Sequence, residues 1–239
     1  MLLNVLLLQK IVVPLHCQKT KTTTLFNIQN ITIMEKKINN NGFEYVDLGL
    51  PSGTLWATCN VGAETASDDG LYFQWGDTKG YTKDQVGVED GQKKFALDWS
   101  DYKFGASPNF TKYNAYGATL ELEDDAANAN MGGDWHIPIP EQIKELRDNT
   151  ISQWMVLDSA SGLAFISKKD KSKFIFIPAA GYAWNGLVYD IRLCGSIWSS
   201  MQSANHINSS HSLDFYNGGQ HVYGRNVRRC GFSVRGVIG

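Results

Sequence analysis

The sequence has four cysteines, Cys17, Cys59, Cys194 and Cys230, and no CxxC pair among them. The local signature of a zinc or redox site is therefore missing. It also has no GxSxG, no HExxH and no phosphate loop. The glycine-bounded turn GAETASDDG, residues 62–70, lacks the lysine that such a loop needs. His206, His211 and His221 are not at zinc-ligand spacing. Nucleophilic catalysis needs a nucleophile, a base and an orienting group held together. No local motif supplies them, so the expectation is a protein without catalytic residues, metal or cofactor.

Charge of one sign is also lacking. The formal net charge is −2, which leaves no global basic field for nucleic acid. Long apolar runs are absent too. The opening MLLNVLLLQKIVVPLHC is interrupted by Asn4, Gln9 and Lys10, and no basic leader precedes it. It does not make a membrane-spanning segment. Residues 1–33 read as a loose tail or as the product of too early a start, with a targeting segment as the alternative. Residues 1–42 are expected to be poorly structured, and a domain is expected over 43–239. A Cys194–Cys230 disulfide is an option if the chain is exported.

What is present is a core with many turns. Hydrophobic residues make up 43% of the chain, with 23 glycines and seven tryptophans. That composition fits a loop-rich core pinned by large side chains, or an aromatic binding face. FEYVDLGLPSGTLWA, residues 43–57, alternates like a strand, stops at Pro51 and Gly53, and can resume. GLYFQWGD, 70–77, reads as a further short strand. Residues 78–118 read as a surface excursion anchored by Phe95, Trp99, Tyr102 and Tyr113.

LELEDDAANANMGG, 120–133, predicts a short helix with Leu122, Ala126 and Ala129 on one face and Gly132–Gly133 as its stop. Glu123, Asp124 and Asp125 diverge on such a helix, so they are not expected to chelate a metal. A second helix follows in DWHIPIPEQIKELRDN, with Pro140 at its first position and Ile143, Leu146 and Thr150 along one face. Ile139 is a poor cap, having no side-chain oxygen. His136 is expected to be structural. GLAFIS and KFIFIPAAG flank a charged turn and predict a hairpin with Phe174 and Phe176 opposite Ile175 and Ile177. GSIWSS and HSLDFYN read as strands, the latter with Leu213 and Phe215 opposite Asp214 and Tyr216. CGFSVRGV alternates Phe232, Val234 and Gly236 against Ser233, Arg235 and Val237. The class is α+β, with two modest helices and short antiparallel strands.

One region is distinctive. Tyr182, Trp184, Tyr189, Asp190 and Arg192 follow the strand KFIFIPAA among glycines and hydroxyls. His206, Asn208, His211, Asp214, Tyr216 and Asn217 come next, then His221, Tyr223 and Arg225. Tyr and Trp offer contact area at small entropy cost, Asn and Ser adapt their hydrogen bonds, and Arg adds a rigid fork. From residue 183 on there are five arginines against two aspartates, a formal +3, which leans toward an anionic or polar partner. This is recognition-surface chemistry. Burial of Trp184, Tyr189, Tyr216 and Tyr223 is the expected anchor, with Arg192 and Arg225 as directional donors.

The series VDLGLPSGTLWATCNVGA, YFQWGD, EDDAANANMGGDWHIPIPEQIKEL, FIPAAGY, GSIWSS and GFSVRGV resembles the Fibrobacter succinogenes major paralogous domain, over roughly residues 43–239. That family is common in gut Bacteroidetes and their phages. The resemblance implies a C-type-lectin-like fold, shared with formylglycine-generating enzymes and with variable proteins of diversity-generating retroelements. GGDW, 132–135, matches the turn and Trp that pack the loop region. Pro138 matches the proline before the second helix, where Ile139 stands in place of the usual Thr. IWSS and GFSVRGV match scaffold strands.

Diversified relatives carry variable residues between those strands, here drawn from Ala183 and the polar-aromatic set above. The implied function is non-catalytic recognition of a protein or glycan, on a cell surface or phage particle. The calcium-lectin motifs EPN, QPD and WND do not occur. Two alternatives stand beside this reading. One is a formylglycine-generating-like enzyme using Cys194 and Cys230, and the other is a structural module of a surface or phage assembly.

Overall fold

A computed structural model describes residues 37–38, 41–89 and 92–239. The readings for residues 1–33, and Cys17 with them, lie outside the described residues. The architecture is α+β, with two helices and several small antiparallel sheets. Strands β1 (Lys37–Ile38), β2 (Glu44–Val46), β3 (Leu55–Ala57) and β14 (Val237–Ile238) form one sheet in that order. β1 lies six residues before the predicted start of pattern at Phe43. Val46, Leu48 and Leu50 are buried, as their alternation predicts, and Gly53 turns the chain at φ +81°.

The first helix differs from the sequence reading. A 3-10 turn covers Leu122–Asp124, and the α-helix proper, α1, is Ala126–Met131. Asp125 interrupts the run by capping, since its Oδ1 accepts the Asn128 N–H at 3.0 Å. Its Oδ2 accepts the Ile137 N–H at 2.8 Å. The buried face is therefore Ala126, Ala127 and Met131, while Leu122 and Ala129 are exposed. Gly132 and Gly133, both at positive φ, end the helix as predicted.

Helix α2 is Pro140–Asn149, with Ile143, Leu146 and Thr150 buried. Ile139 caps it with no side-chain bond, and the Gln142 side chain reaches back to accept the Ile139 N–H at 3.0 Å, which ties the cap residue to the first turn.

The predicted hairpin is β7 (Ala160–Ser167) with β8 (Phe174–Pro178). Ile175 and Ile177 enter the core under α2, and Phe174 and Phe176 pack on the other side with Ala160 and Ala164. A third strand, β6 (Thr150–Leu157), joins them and has no counterpart in the sequence reading. Hairpins β4 (Gly87–Glu89) with β5 (Gln92–Lys94) and β9 (Tyr182–Trp184) with β10 (Leu187–Tyr189) decorate the loops. In the long excursion Tyr102, Phe104, Phe110 and Tyr113 are buried and meet edge to face. Phe95 stacks on Tyr81. These rings anchor the loop.

The third sheet carries the site. Its strands are β11 (Cys194–Gln202), β12 (Ser209–Tyr216) and β13 (Gly219–Val227), all antiparallel. Leu213 and Phe215 face the core with Ile143 and Leu146 of α2. Ser212, Asp214 and Tyr216 face the other way, as the alternation predicts. Between the pairs Ser212–Gly224 and Asp214–His221, Leu213 opposes two residues, Val222 and Tyr223, which makes a bulge.

The run 230–237 does not form the single alternating strand that its pattern predicts. It threads between sheets by isolated pairings: Gly231 with Ala183, Phe232 with Phe73, Ser233 with Ile197 and Val237 with His136. Both of its faces are consequently buried, Ser233 and Arg235 included. Among the described residues no helix is long and apolar enough to cross a membrane.

Candidate functional site

A cleft of about 390 Å³ opens on the outer face of the β11–β13 sheet. Its floor is Ser196, Asp214 and Asn226, from three separate strands: register pairs Ser196 with Asp214, and the Asn226 side chain, which is opposite Ser210, reaches along the sheet to the Asp214 carboxylate. Its walls are Tyr182, Tyr216 and Phe232, with Cys194 and Cys230 beside them. Gly224 is required here. A Cβ at that position would stand 2.1 Å from Asp214 Oδ2 and 2.6 Å from Ser212 Oγ.

Asp214 is held by neutral donors. Asn226 Nδ2 donates to both carboxylate oxygens, at 3.0 and 2.9 Å, and Ser212 Oγ donates to Oδ1 at 3.0 Å. Ser196 also bonds to it. Burial raises the Asp214 carboxyl above its ordinary range, and these bonds offset part of the rise.

An aromatic row runs from the cleft outward. Tyr182 stacks on Tyr189 at 5.3 Å, and Tyr189 meets Trp184 at 6.3 Å. The Arg229 guanidinium lies over the Trp184 ring at 5.3 Å and is ion-paired to Asp98. Trp184 is 37% exposed and Tyr216 is 47% exposed. Asp190 is exposed in the turn after β10, near enough to Cys194 and Tyr182 to raise both groups' pKa behind the larger effect of burial. Tyr216 meets His221 at 6.3 Å, and exposed Asn217 sits in the turn joining β12 to β13.

The remaining predicted residues are elsewhere. Arg192 forms an ion pair with Asp69, so its charge is already matched. Arg225 reaches His206, with NH1 at 3.1 Å from the ring Nδ1, near the opposite end of the β12–β13 pair. Asn208 is half-buried there, and its side chain accepts from Ser209 Oγ at 3.1 Å. His211 is on the α2 side of the sheet, where the Glu141 charge reaches it, and burial lowers its pKa. Ala183 is fully buried. The side chain of Tyr223 lies outside the described part of the structure.

The formal +3 of this half is not displayed as a basic surface either. Arg192 and Arg229 are paired, and Arg228 and Arg235 are buried. Sequence reasoning set Tyr182 among the recognition chemistry but did not pick Ser196 or Asn226. The only signal for those two was a pair of small polar residues in strands, which is common in any sheet.

The cysteines and one group of carboxylates bear on metal chemistry. Cys59, Cys194 and Cys230 are free thiols. Burial pushes the Cys194 thiol up, and pushes Cys230 to about 11. Glu121, Glu123 and Asp124 offer oxygens within 4.8 Å of one another, but the Lys112 ammonium already stands among them. It lies 2.5, 3.1 and 2.6 Å from the three carboxylates.

Asp124 also bonds Lys103 at 2.5 Å and Tyr113 at 2.7 Å. Burial alone would raise its carboxyl, but these donors more than reverse that and lower it. A carboxyl lowered by folding stabilises above its unfolded pKa and loses that contribution as pH falls through its folded one. Asp124→Asn is therefore expected to destabilise most at neutral pH. Its deficit against the wild type should shrink in acid, as read by urea denaturation at stepped pH. A deficit that stays constant with pH would contradict this.

Comparison with known family models, curated proteins and solved structures found no match.

Proposed function

We propose that the chain is a non-catalytic recognition domain of C-type-lectin-like type, akin to the Fibrobacter succinogenes major paralogous family. It binds a protein or glycan through the face that carries Trp184, Tyr189 and Tyr216. One observation supports this most. Tyr182 and Tyr216 stand part-exposed at one cleft, with Tyr189 and Trp184 continuing the row from Tyr182, while Leu213 and Phe215 of the strand that carries Tyr216 are buried in the core beneath. Exposed aromatics on a rigid frame are the usual anchors of interfaces. The anchors differ from those expected from sequence. Tyr182, Tyr189, Trp184 and Tyr216 make the face, with Asp214 and Asn226 as its polar centre, and Arg192 and Arg225 are outside it. Whether a retroelement diversifies this face in other copies is part of the same reading.

The enzyme reading draws on one feature, that Cys194 and Cys230 line the same cleft. Thiolates are the reactive and metal-binding form, and both of these thiols are pushed toward the protonated form.

Trp184→Ala and Tyr216→Ala are each expected to weaken binding by about 1–4 kcal/mol. Their thermal unfolding should stay close to the wild type. The check is a glycan and surface-protein binding screen with all three proteins, followed by titration of the partner found. A partner held equally well by both variants would defeat the proposal.

A further inference from the structure

We propose that the cleft between Tyr182 and Tyr216 is a pocket for a basic side chain, lysine or arginine, of a protein partner. This rests on the recognition reading above and names the ligand chemistry of its central cleft.

Three features lead to it. A carboxylate, Asp214, sits at the floor of a cleft of about 390 Å³. That is near the lower end of ligand-pocket volumes, roughly 300–1,000 Å³. The partners of the carboxylate are Ser212, Asn226 and Ser196, all neutral. Among the described residues no lysine or arginine pairs with it. His221, paired with Asp214 across the strands, is the base beside it, and its side chain is exposed.

The arginines of this half are occupied elsewhere, in ion pairs, in the core or at His206. The fold therefore places a negative group in a site with no internal cation to neutralise it.

The walls match the same ligand. Tyr182 and Tyr216 are part-exposed rings lining the cleft that holds the carboxylate, with buried Phe232 behind them. Ring faces attract ammonium and guanidinium groups, and the apolar stem of such a side chain packs along the rings. Asp190 at the rim adds a second negative charge on the approach. A neutral sugar would use the rings and Asn226 but would leave the carboxylate's charge unmatched.

The test uses the full chain and three small probes, the N-acetyl amides of lysine, arginine and norleucine, titrated by NMR. Lysine or arginine amide is expected to bind more tightly than the neutral norleucine amide. Asp214→Asn, nearly isosteric, is expected to weaken the basic probes by about 10- to 100-fold and leave the norleucine amide unchanged. Tyr216→Leu, which removes one exposed wall, keeps the test available if Asp214→Asn does not fold, and should weaken the basic probes several-fold.

Equal binding of the three amides, or basic-probe binding indifferent to the Asp214 and Tyr216 changes, would overturn the proposal. So would a methyl glycoside that displaces nothing basic yet binds the cleft more tightly than the amides. These outcomes are separable from failure of the recognition face. A partner lost with Trp184→Ala but indifferent to Asp214→Asn sinks this inference alone.

Discussion

Replacing Arg235 with Ala is expected to remove about 3 kcal/mol or more of stability. The side chain is fully buried and, among the described residues, has no carboxylate partner. Its fork is instead satisfied by three oxygens from two segments, the end of β3 with the residues just after it and strand β8. Nε donates to Asn60 Oδ1 at 3.0 Å, NH1 to the Ala57 carbonyl at 2.9 Å and NH2 to the Phe176 carbonyl at 2.9 Å. Desolvation lowers its pKa to about 10, which still leaves it charged at neutral pH.

Truncation strands three acceptors and opens a cavity, and each stranded buried acceptor costs about 1–3 kcal/mol. Most domains have only about 5–15 kcal/mol in total. Urea denaturation should show a large fall in midpoint with an unchanged slope. A midpoint near that of the wild type would show that the fork contributes little. Lysine should not rescue, because one ammonium cannot reach three oxygens set in a planar fork.

Trp198→Ala is the second large effect, expected at about 3–5 kcal/mol. β11 divides the interior. Ile197 belongs to the core under α2, and its neighbour Trp198 belongs to the core around Trp75 and Trp135. The Trp198 ring stacks on Phe232 at 4.3 Å, and its Nε1 donates to the Phe73 carbonyl at 2.7 Å. Phe232 is also a wall of the cleft. Truncation should thus lower thermal stability and loosen the cleft together, whereas Trp184→Ala should affect binding alone. If Trp198→Ala melts like the wild type, the two-core arrangement does not govern stability.

Local pattern was legible where one face of an element meets the core. The α2 face, the β7–β8 hairpin and the Leu213/Phe215 alternation follow from their periodicity. β6 escaped because most of its residues are half-buried on both faces, so TISQWMVL carries no clean alternation. The first helix was misplaced because Asp125 reads as a helical carboxylate until its capping bonds are seen.

In the sequence Arg228 and Arg235 count only toward the formal +3 from residue 183 on. Nothing local to them announces the Phe110 ring 3.8 Å from one, or the three distant oxygens around the other. The site was legible in chemistry but not in membership. Tyr182, Ser196, Asp214 and Asn226 are separated by 12 to 18 residues at each step. Register pairs Ser196 with Asp214, but Asn226 joins them only through its side chain and Tyr182 from a separate hairpin.

The threading of residues 230–237 bears on how the protein is made. Until that stretch has left the ribosome, the sheets near Trp56, Phe73, Ala183 and Ile197 each lack a pairing partner. Most of the nascent polypeptide must wait with apolar surface uncovered, and closure comes late, in one long-range step.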